Sequence, residues 1–600
     1  MRRNVIFWPA LLVGSFVVFI IGSLIFWNSN NEDSKAAPAV YYKNADMAES
    51  GSEPYELEEG VTKAIYDMEE ALIEELYVET EVDSDRDGQL DKVFITVVRP
   101  PVKEGMKVPA ILWMTPYDEL HAKYTEHFTV AGADGKTFID NVDFSGSHFV
   151  PRGYGFIAGH SLGTSKSEGC PTTGGREETL AAKAVVDWLN GRAKAYTADG
   201  KQVPADWATG DAGMIGGSYD GTLATAVAAE GVEGLKAIVP ISSISSWYDY
   251  VGANGLYLGS GDEKDFEITY EGAAAGLAEL VWNGKSESCT KLFKEMGQVQ
   301  GEGEYNEFWA SRNYLDNYNG ADTAVLIAHG QNDPVVRPIN YTKLWETLKE
   351  NNVPRKMWIS NGEHRFISTS ADFLDWQLYV NRWFDHWLYS IDNGIMEEPH
   401  VYVKSNLNTY EMDDWPGEDP EFVTFHLSAD GELTENHKED SSVEESQSFQ
   451  DGEAMLEFTV AHSPEIDQPN RLIYMTEELE SDFQLSGSPE ITITASFTDM
   501  DAVLSAILVD YSVIPEVVTK GWMNPESRNS IEILEPIVPG ESYTLTWNMQ
   551  PKVYTFQKGH RIGLVIIGSD EHFTGIPAKD ITITVQPGLS ELVLPVMSQN

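Results

Sequence analysis

Six hundred residues exceed what one hydrophobic core organises, so the chain is expected to divide into two or three domains. With 95 Asp and Glu against 41 Lys and Arg, the surface repels nucleic acid and anionic headgroups; this argues against a nucleic-acid partner and suits a solvated face in extracellular water. Two cysteines, Cys170 and Cys289, with no C-x-x-C pair and no histidine cluster, argue against a zinc enzyme and leave open whether the two thiols are free or bridged.

In chain order, residues 5–27 form an uncharged apolar run with Trp8 and Trp27 near its ends, preceded by Arg2 and Arg3 and followed by Glu32 and Asp33. The pattern predicts an N-terminal transmembrane signal anchor over 1–30. The positive-inside rule then puts a single-pass chain in the cell membrane with its remaining domains extracellular; a cleaved signal peptide and a secreted protein is the competing reading. Residues 31–60, rich in Asn, Ser, Glu, Ala and Gly, read as a tether. Over 61–398, apolar runs such as "VPAILWMTP", "GYGFIAG", "AGMIGGS", "LKAIVPIS" and "TAVLIAHG" alternate with helical patterns such as "REETLAAKAVVDWLNG". That alternation predicts an α/β domain with a mostly parallel sheet covered on both faces. An aromatic-rich, helical insertion at about 246–318 is a candidate lid. From 399 to 600 short alternating strands, among them "PEFVTFHLS", "AMLEFTVAHS", "EITITASF" and "RIGLVIIGS", predict an all-β jelly-roll or β-sandwich domain, with 434–452 as an exposed loop.

Two serines compete for the role of nucleophile. Ser161, in Gly159-His160-Ser161-Leu162-Gly163, matches G-x-S-x-G, but "LGTSKSEGCPTTGG" follows and cannot start a helix before about Arg176. Ser218 ends the run "AGMIGG" and is followed at once by "YDGTLATAVAAEG", a helix with small residues where it crosses the sheet. A nucleophile elbow needs that strand, tight turn and helix, so Ser218 is the expected nucleophile and Ser161 a loop residue. Its partners should follow in the order Ser, acid, His at later strand ends. Asp333 in "HGQNDPVV" and His364 in "NGEHRF" stand there, to orient the imidazole and to carry the proton. The Tyr219 N–H is expected to supply one oxyanion donor; the second should come from the loop after "VPAILWMTP", where Tyr117 in "TPYDEL" offers a hydroxyl or is simply a half-buried aromatic at a loop end.

These residues, with "GGSYDGT", "ISSWYDYVGANGL", "HGQNDPVVRP", "GEHRF", "NEFWASRNYL", "KGHRIGLVIIGSD" and the closing "SELVLPV", resemble the Xaa-Pro dipeptidyl-peptidase family from about 75 to about 597. The resemblance implies an α/β-hydrolase fold with a helical lid and a C-terminal jelly roll. It also implies a serine exopeptidase that releases Xaa-Pro dipeptides from peptides with proline second, using Ser218, Asp333 and His364 with no metal or cofactor. Trp247, Tyr250 and Val336 would wall the proline pocket. Glu263 in "GSGDEKDFE" would bind the substrate amine, with Asp262 and Glu267 as alternatives. The family's N-terminal helical domain is replaced here by the anchor and tether, which leaves open whether the chain forms an oligomer. Pro334-Val335 replaces a Trp-Asn pair, so preference for the first substrate residue is expected to differ.

Other functions weighed are an esterase or acylase of the cocaine-esterase type, and a non-catalytic surface-binding protein. "DSDRDGQLD" (83–91) matches the first nine positions of a calcium loop, but Phe94 stands where the twelfth-position Glu is needed. A hairpin turn between "LYVETEV" and "KVFITVV" is the plainer expectation.

Overall fold

The structure, a computed structural model, describes residues 53–117, 127–131, 137–141, 146–259, 273–282, 284, 286–316, 318–319, 322–364, 370–417, 419–436, 445–452, 456–571, 573–574 and 579–597. The expected anchor lies outside the described residues, among which no helix is long and apolar enough to cross a membrane. The end of the expected tether is folded. Leu57–Glu58 pairs with Val61–Thr62, and the buried Thr62 donates its N–H and its hydroxyl to Asp385, both at 2.8 Å. Polar contacts rather than an apolar pattern hold this segment, so its composition did not show it.

One sheet organises the first part of the chain. Strands β1 (Leu72–Glu79) and β2 (Lys92–Arg99) pair antiparallel. Strands β3 (Val108–Thr115), β4 (Gly155–His160), β5 (Ala208–Gly217), β6 (Leu235–Ile241), β7 (Ala324–Gly330), β8 (Arg355–Ser360) and β9 (Val401–Lys404) run parallel, and β10 (Thr409–Met412) returns antiparallel. The order is β1-β2-β4-β3-β5-β6-β7-β8-β9-β10, with the short strands Ala195–Tyr196 and Gln202–Val203 beyond β1. Every residue of β3 is buried, as a parallel strand covered on both faces requires. Besides the short helix Gly146–Phe149, the connecting helices are α1 (Arg176–Leu189), α2 (Tyr219–Ala229), α3 (Trp247–Val251), α4 (Ala273–Val281), α5 (Glu287–Val299), α6 (Glu307–Ala310), α7 (Ile339–Glu350) and α8 (Ser370–Tyr389). Apolar side chains of α1, α2 and α7 join the core on one face of the sheet, and Trp376, Val380, Trp383 and Phe384 of α8 join the core on the other.

Helices α3 to α6 belong to the insertion between β6 and β7. A disulfide joins Cys289 on α5 to Cys170 in the loop after β4, with their Cα atoms 5.4 Å apart. The segment 83–91 lies in the connection from β1 to β2. Carboxylate oxygens of Asp83, Asp85 and Asp91 lie within 4.8 Å of one another, but several already accept local N–H groups: Asp83 from Asp87 and Gly88, Asp91 from Ser84.

The remaining strands build a sandwich. Leu472–Met475, Arg561–Ile567, Leu504–Tyr511 and Glu516–Met523 form a four-stranded antiparallel sheet, and strands including Glu421–Leu427, Glu490–Phe497 and Glu591–Val596 form the second sheet. Phe425, Ile493, Leu508, Leu564 and Leu592 are among the residues of their shared core. Three further sequence readings need correction. The hydrolase sheet runs past the expected boundary at 398, because β9 and β10 extend its edge; a short alternating strand does not reveal which sheet it joins. The stretch "AMLEFTVAHS", expected as a strand, contains a helical turn, Glu457–Ala461, whose Val460 and Ala461 cover the outer face of the four-stranded sheet. The expected loop 434–452 ends in a strand, Gln447–Asp451, paired with Ile581–Val585.

Candidate active site

Ser218 stands between β5 and α2 with φ 57° and ψ −126°, a strained conformation for a residue with a Cβ. The turn closes because its neighbours are glycines: a Cβ on Gly216 would lie 2.6 Å from the Asp220 Cβ, and one on Gly221 would lie 2.5 Å from the Gly216 carbonyl oxygen. Strand end, strained serine and helix start therefore coincide at Ser218. Ser161 follows β4 in a loop and is buried; among the described residues its hydroxyl has no hydrogen-bond partner.

His364 lies after β8, with its Nε2 3.1 Å from Ser218 Oγ and its Nδ1 2.8 Å from Asp333 Oδ2. An ionised Asp333 can only accept, so Nδ1 carries the proton and Nε2 is free to take one from Ser218. Asp333, after β7, is buried, and its other oxygen accepts the N–H groups of Val335 and Val336, both at 2.9 Å. Burial alone would raise this carboxyl; the charge and hydrogen bond of His364, with the Val336 amide, hold it below its ordinary range. The acid thus remains an anion beside the imidazole.

Tyr117 follows β3, and its hydroxyl shares a hydrogen bond with Ser218. Burial, with the nearby Asp220 and Tyr250, raises the phenol above its ordinary range, so it keeps the proton it would donate. The Tyr219 N–H opens α2, where it has no intrahelical acceptor. Trp247 on α3 is buried, edge-on to Tyr219 at 4.9 Å and to Tyr250 at 5.6 Å between ring centroids. Val336 is buried beside Asp333. Glu263, Asp262 and Glu267 lie outside the described residues.

Several supporting residues escaped the sequence reading. Buried Glu178 accepts the N–H groups of Thr172, Thr173 and Gly174 and the Tyr219 hydroxyl. Arg312 donates to the carbonyls of Thr172 and Thr173, and Trp247 Nε1 donates to the Tyr314 hydroxyl, which donates in turn to Gly174. This network fixes the wall of Trp247 against the elbow. Arg337, four residues after Asp333, is buried and donates to the carbonyls of Asp249, Tyr250 and Gly252, which holds the backbone of Tyr250. Glu178 has the appearance of an ordinary first-turn acid of α1, and no local pattern separates it from one. Arg312 and Tyr314 lie in the quoted "NEFWASRNYL", so their stretch was legible and their role was not.

The sequence model described as "X-Pro dipeptidyl-peptidase (S15 family)" matches residues 87–365, and that of the "X-Pro dipeptidyl-peptidase C-terminal non-catalytic domain" matches 393–594. A protein of Bacillus anthracis named putative Xaa-Pro dipeptidyl-peptidase is 44% identical over 554 residues, 90% of each chain. The chain belongs to the X-Pro dipeptidyl-peptidase (S15) family. A member from Streptomyces avermitilis, also named putative Xaa-Pro dipeptidyl-peptidase, is 30% identical over 89% of this chain and 84% of its own. Solved structures share the fold at lower identity. An α-amino acid ester hydrolase gives a TM-score of 0.67 at 16% identity, covering 94% of this chain and all of its own. A CocE/NonD family hydrolase of Staphylococcus aureus gives 0.64 at 15% identity, covering 88% of this chain and 96% of its own. The α/β-hydrolase architecture with a C-terminal β domain is therefore that of a hydrolase of this family.

Proposed function

We propose that this S15-family hydrolase is a serine exopeptidase that releases Xaa-Pro dipeptides from the free N-terminus of peptides. The observation that carries the reading is the pair of hydrogen bonds by which His364 links Ser218 at 3.1 Å to Asp333 at 2.8 Å. Ser218 Oγ attacks the carbonyl carbon of the second substrate residue while its proton passes to His364 Nε2. Asp333 holds the imidazole in the tautomer that can accept this proton and balances the charge it gains. The Tyr117 hydroxyl and the Tyr219 N–H donate to the oxyanion of the tetrahedral intermediate. His364 then protonates the leaving amine, and water, deprotonated by the same nitrogen, cleaves the acyl-enzyme to free the dipeptide and Ser218. The rigid rings of Trp247 and Tyr250, with Val336, suit a proline side chain, which brings no N–H to satisfy. Glu263 is the proposed partner of the substrate ammonium, with Asp262 and Glu267 as alternatives; a buried acid there favours a free N-terminus over a blocked one.

Release of a chromogenic amine from Ala-Pro-amide, compared with its N-acetylated form, tests this reading. Cleavage of the free form alone is expected. Turnover of an aryl ester with neither amide cleaved would move the chain to the esterase reading and remove the role of Glu263.

We also propose that residues 1–30 anchor the chain, with the hydrolase outside the cell. The Cys170–Cys289 disulfide supports export, since such bridges persist in oxidising compartments. Protease added to intact cells should degrade the hydrolase; full protection would place it inside.

A further inference from the structure

The loop that carries Asp333 is bound from two sides. On the hydrolase side Gln331 N–H donates to Ser360, and Asn332 N–H to Gly362 at 2.9 Å. The Asn332 side-chain amide also donates to the Asn361 carbonyl at 3.0 Å, so the acid loop and the histidine loop are sewn together. On the other side lies a strand of the β-sandwich, Lys552–Phe556, every residue of which is buried. Its Val553 N–H donates to Gln331 Oε1 at 3.0 Å, and its Lys552 Nζ donates to Asn332 Oδ1. Gln331 passes the contact on, since its Nε2 donates to Asn361 Oδ1 and to the Lys404 carbonyl, both at 3.0 Å.

An ammonium with so little exposure is costly to keep there. Burial pushes Lys552 down to about 8, with Glu516 as the acidic side chain that favours its charge, so it is still an ammonium at neutral pH. An apolar residue would join the two domains without that cost. What the ammonium adds is a directional bond to the residue immediately before Asp333.

We propose that Lys552 is a positioning residue for the reaction, acting from the β domain through Asn332 to hold the Asp333 loop where its carboxylate meets His364. The inference rests on the triad reading above. It gives the β domain a part in turnover although Lys552 touches no substrate: a hydrogen-bonded acid displaced by about 1 Å costs up to about 10²-fold in rate.

The test compares the full chain with K552M, N332A, the double variant, K552R and D333N, measuring kcat and KM on the Ala-Pro chromogenic amide and the melting temperature of each. K552M and N332A should each lower kcat by about tenfold or more with KM changed by less than about twofold. The double variant should be no slower than the worse single, because both remove the same contact. K552R should recover most of the turnover. Parent-like kcat in N332A, losses that multiply in the double variant, or a lowered melting temperature with kcat intact would each overturn the proposal in favour of a purely structural tie. If K552M does not fold, N332A compared with N332D decides: both lose the donation to Asn361, but N332D keeps an oxygen for Lys552, so equal losses of kcat in the two overturn the proposal. D333N separates the two levels: parent-like turnover there overturns the triad reading, whereas a dead D333N beside a parent-like N332A overturns only the role of Lys552.

Discussion

Ser218 and Ser161 both follow a strand of the same sheet, but His364 Nε2 stands 3.1 Å from Ser218 Oγ, whereas Ser161 lies buried in a loop with its N–H on the Thr115 carbonyl. Ser218→Ala should therefore leave less than about 10⁻⁴ of the parent kcat, and Ser161→Ala should keep it within about twofold, measured on the same amide. The opposite pattern would remove the elbow argument. Tyr117→Phe takes away the hydroxyl proposed as an oxyanion donor and keeps the ring, so kcat should fall by about 10²-fold with KM little changed; an unchanged kcat would assign that donor elsewhere. That Ser218, His364 and Asp333 come together was legible because each follows a strand in the required order, and chain order survives folding. Glu178 was not, because its partners, the amides of 172–174 and the Tyr219 hydroxyl, meet only after the loop behind β4 folds back onto α2.

At the scale of elements, the junction of β5 and α2 was readable from small residues alone, since Gly216 and Gly221 mark the close crossing of strand and helix. The role of Asp220 was not. In the sequence it is an acid in the first turn of a helix, where a solvated carboxylate is expected. In the fold it is buried, and its Oδ2 accepts the Trp113 Nε1–H at 2.8 Å. Burial pushes its carboxyl up to about 7, opposed by hydrogen bonds from Trp113 and Thr115. A carboxyl raised on folding contributes stability that is whole below its unfolded value and is lost as pH rises through its folded one. Stability should thus decline between about pH 4 and pH 7 through this group, by on the order of 4 kcal/mol in full. Asp220→Asn can still accept from Trp113 and does not ionise, so its melting temperature should gain on the parent as pH rises from 4 to 8. Parallel melting curves across that range would show that Asp220 ionises without penalty.

At the scale of the whole molecule, the insertion expected as a lid is tied to the loop after β4 and the β domain to the loop after β7, and here the sequence was least informative because the contacts join distant segments. The cysteines were left open as free thiols or a bridge; both are fully buried and paired, and the bridge spans a sequence separation of 119 residues between the loop after β4 and helix α5 of the insertion. A closed loop of that length restrains the unfolded chain by about 4–5 kcal/mol on the chain-entropy account. The same loop is tied to the insertion by Thr173 Oγ1, which donates to the Ala274 carbonyl at 2.6 Å, and by Arg312. If the insertion covers the site as a lid, removing the bridge should therefore loosen it without detaching it. Cys170→Ser with Cys289→Ser should lower the melting temperature by several degrees and raise KM for Xaa-Pro amides by about three- to tenfold, while turnover of a simple aryl ester, which needs the triad and not the lid, stays within about twofold. Calorimetry and the two substrates together check this. A variant that melts early but keeps its KM would show that the polar contacts alone shape the lid; one that loses ester turnover as well would show that the bridge also holds the loop against the Tyr219 side of the elbow.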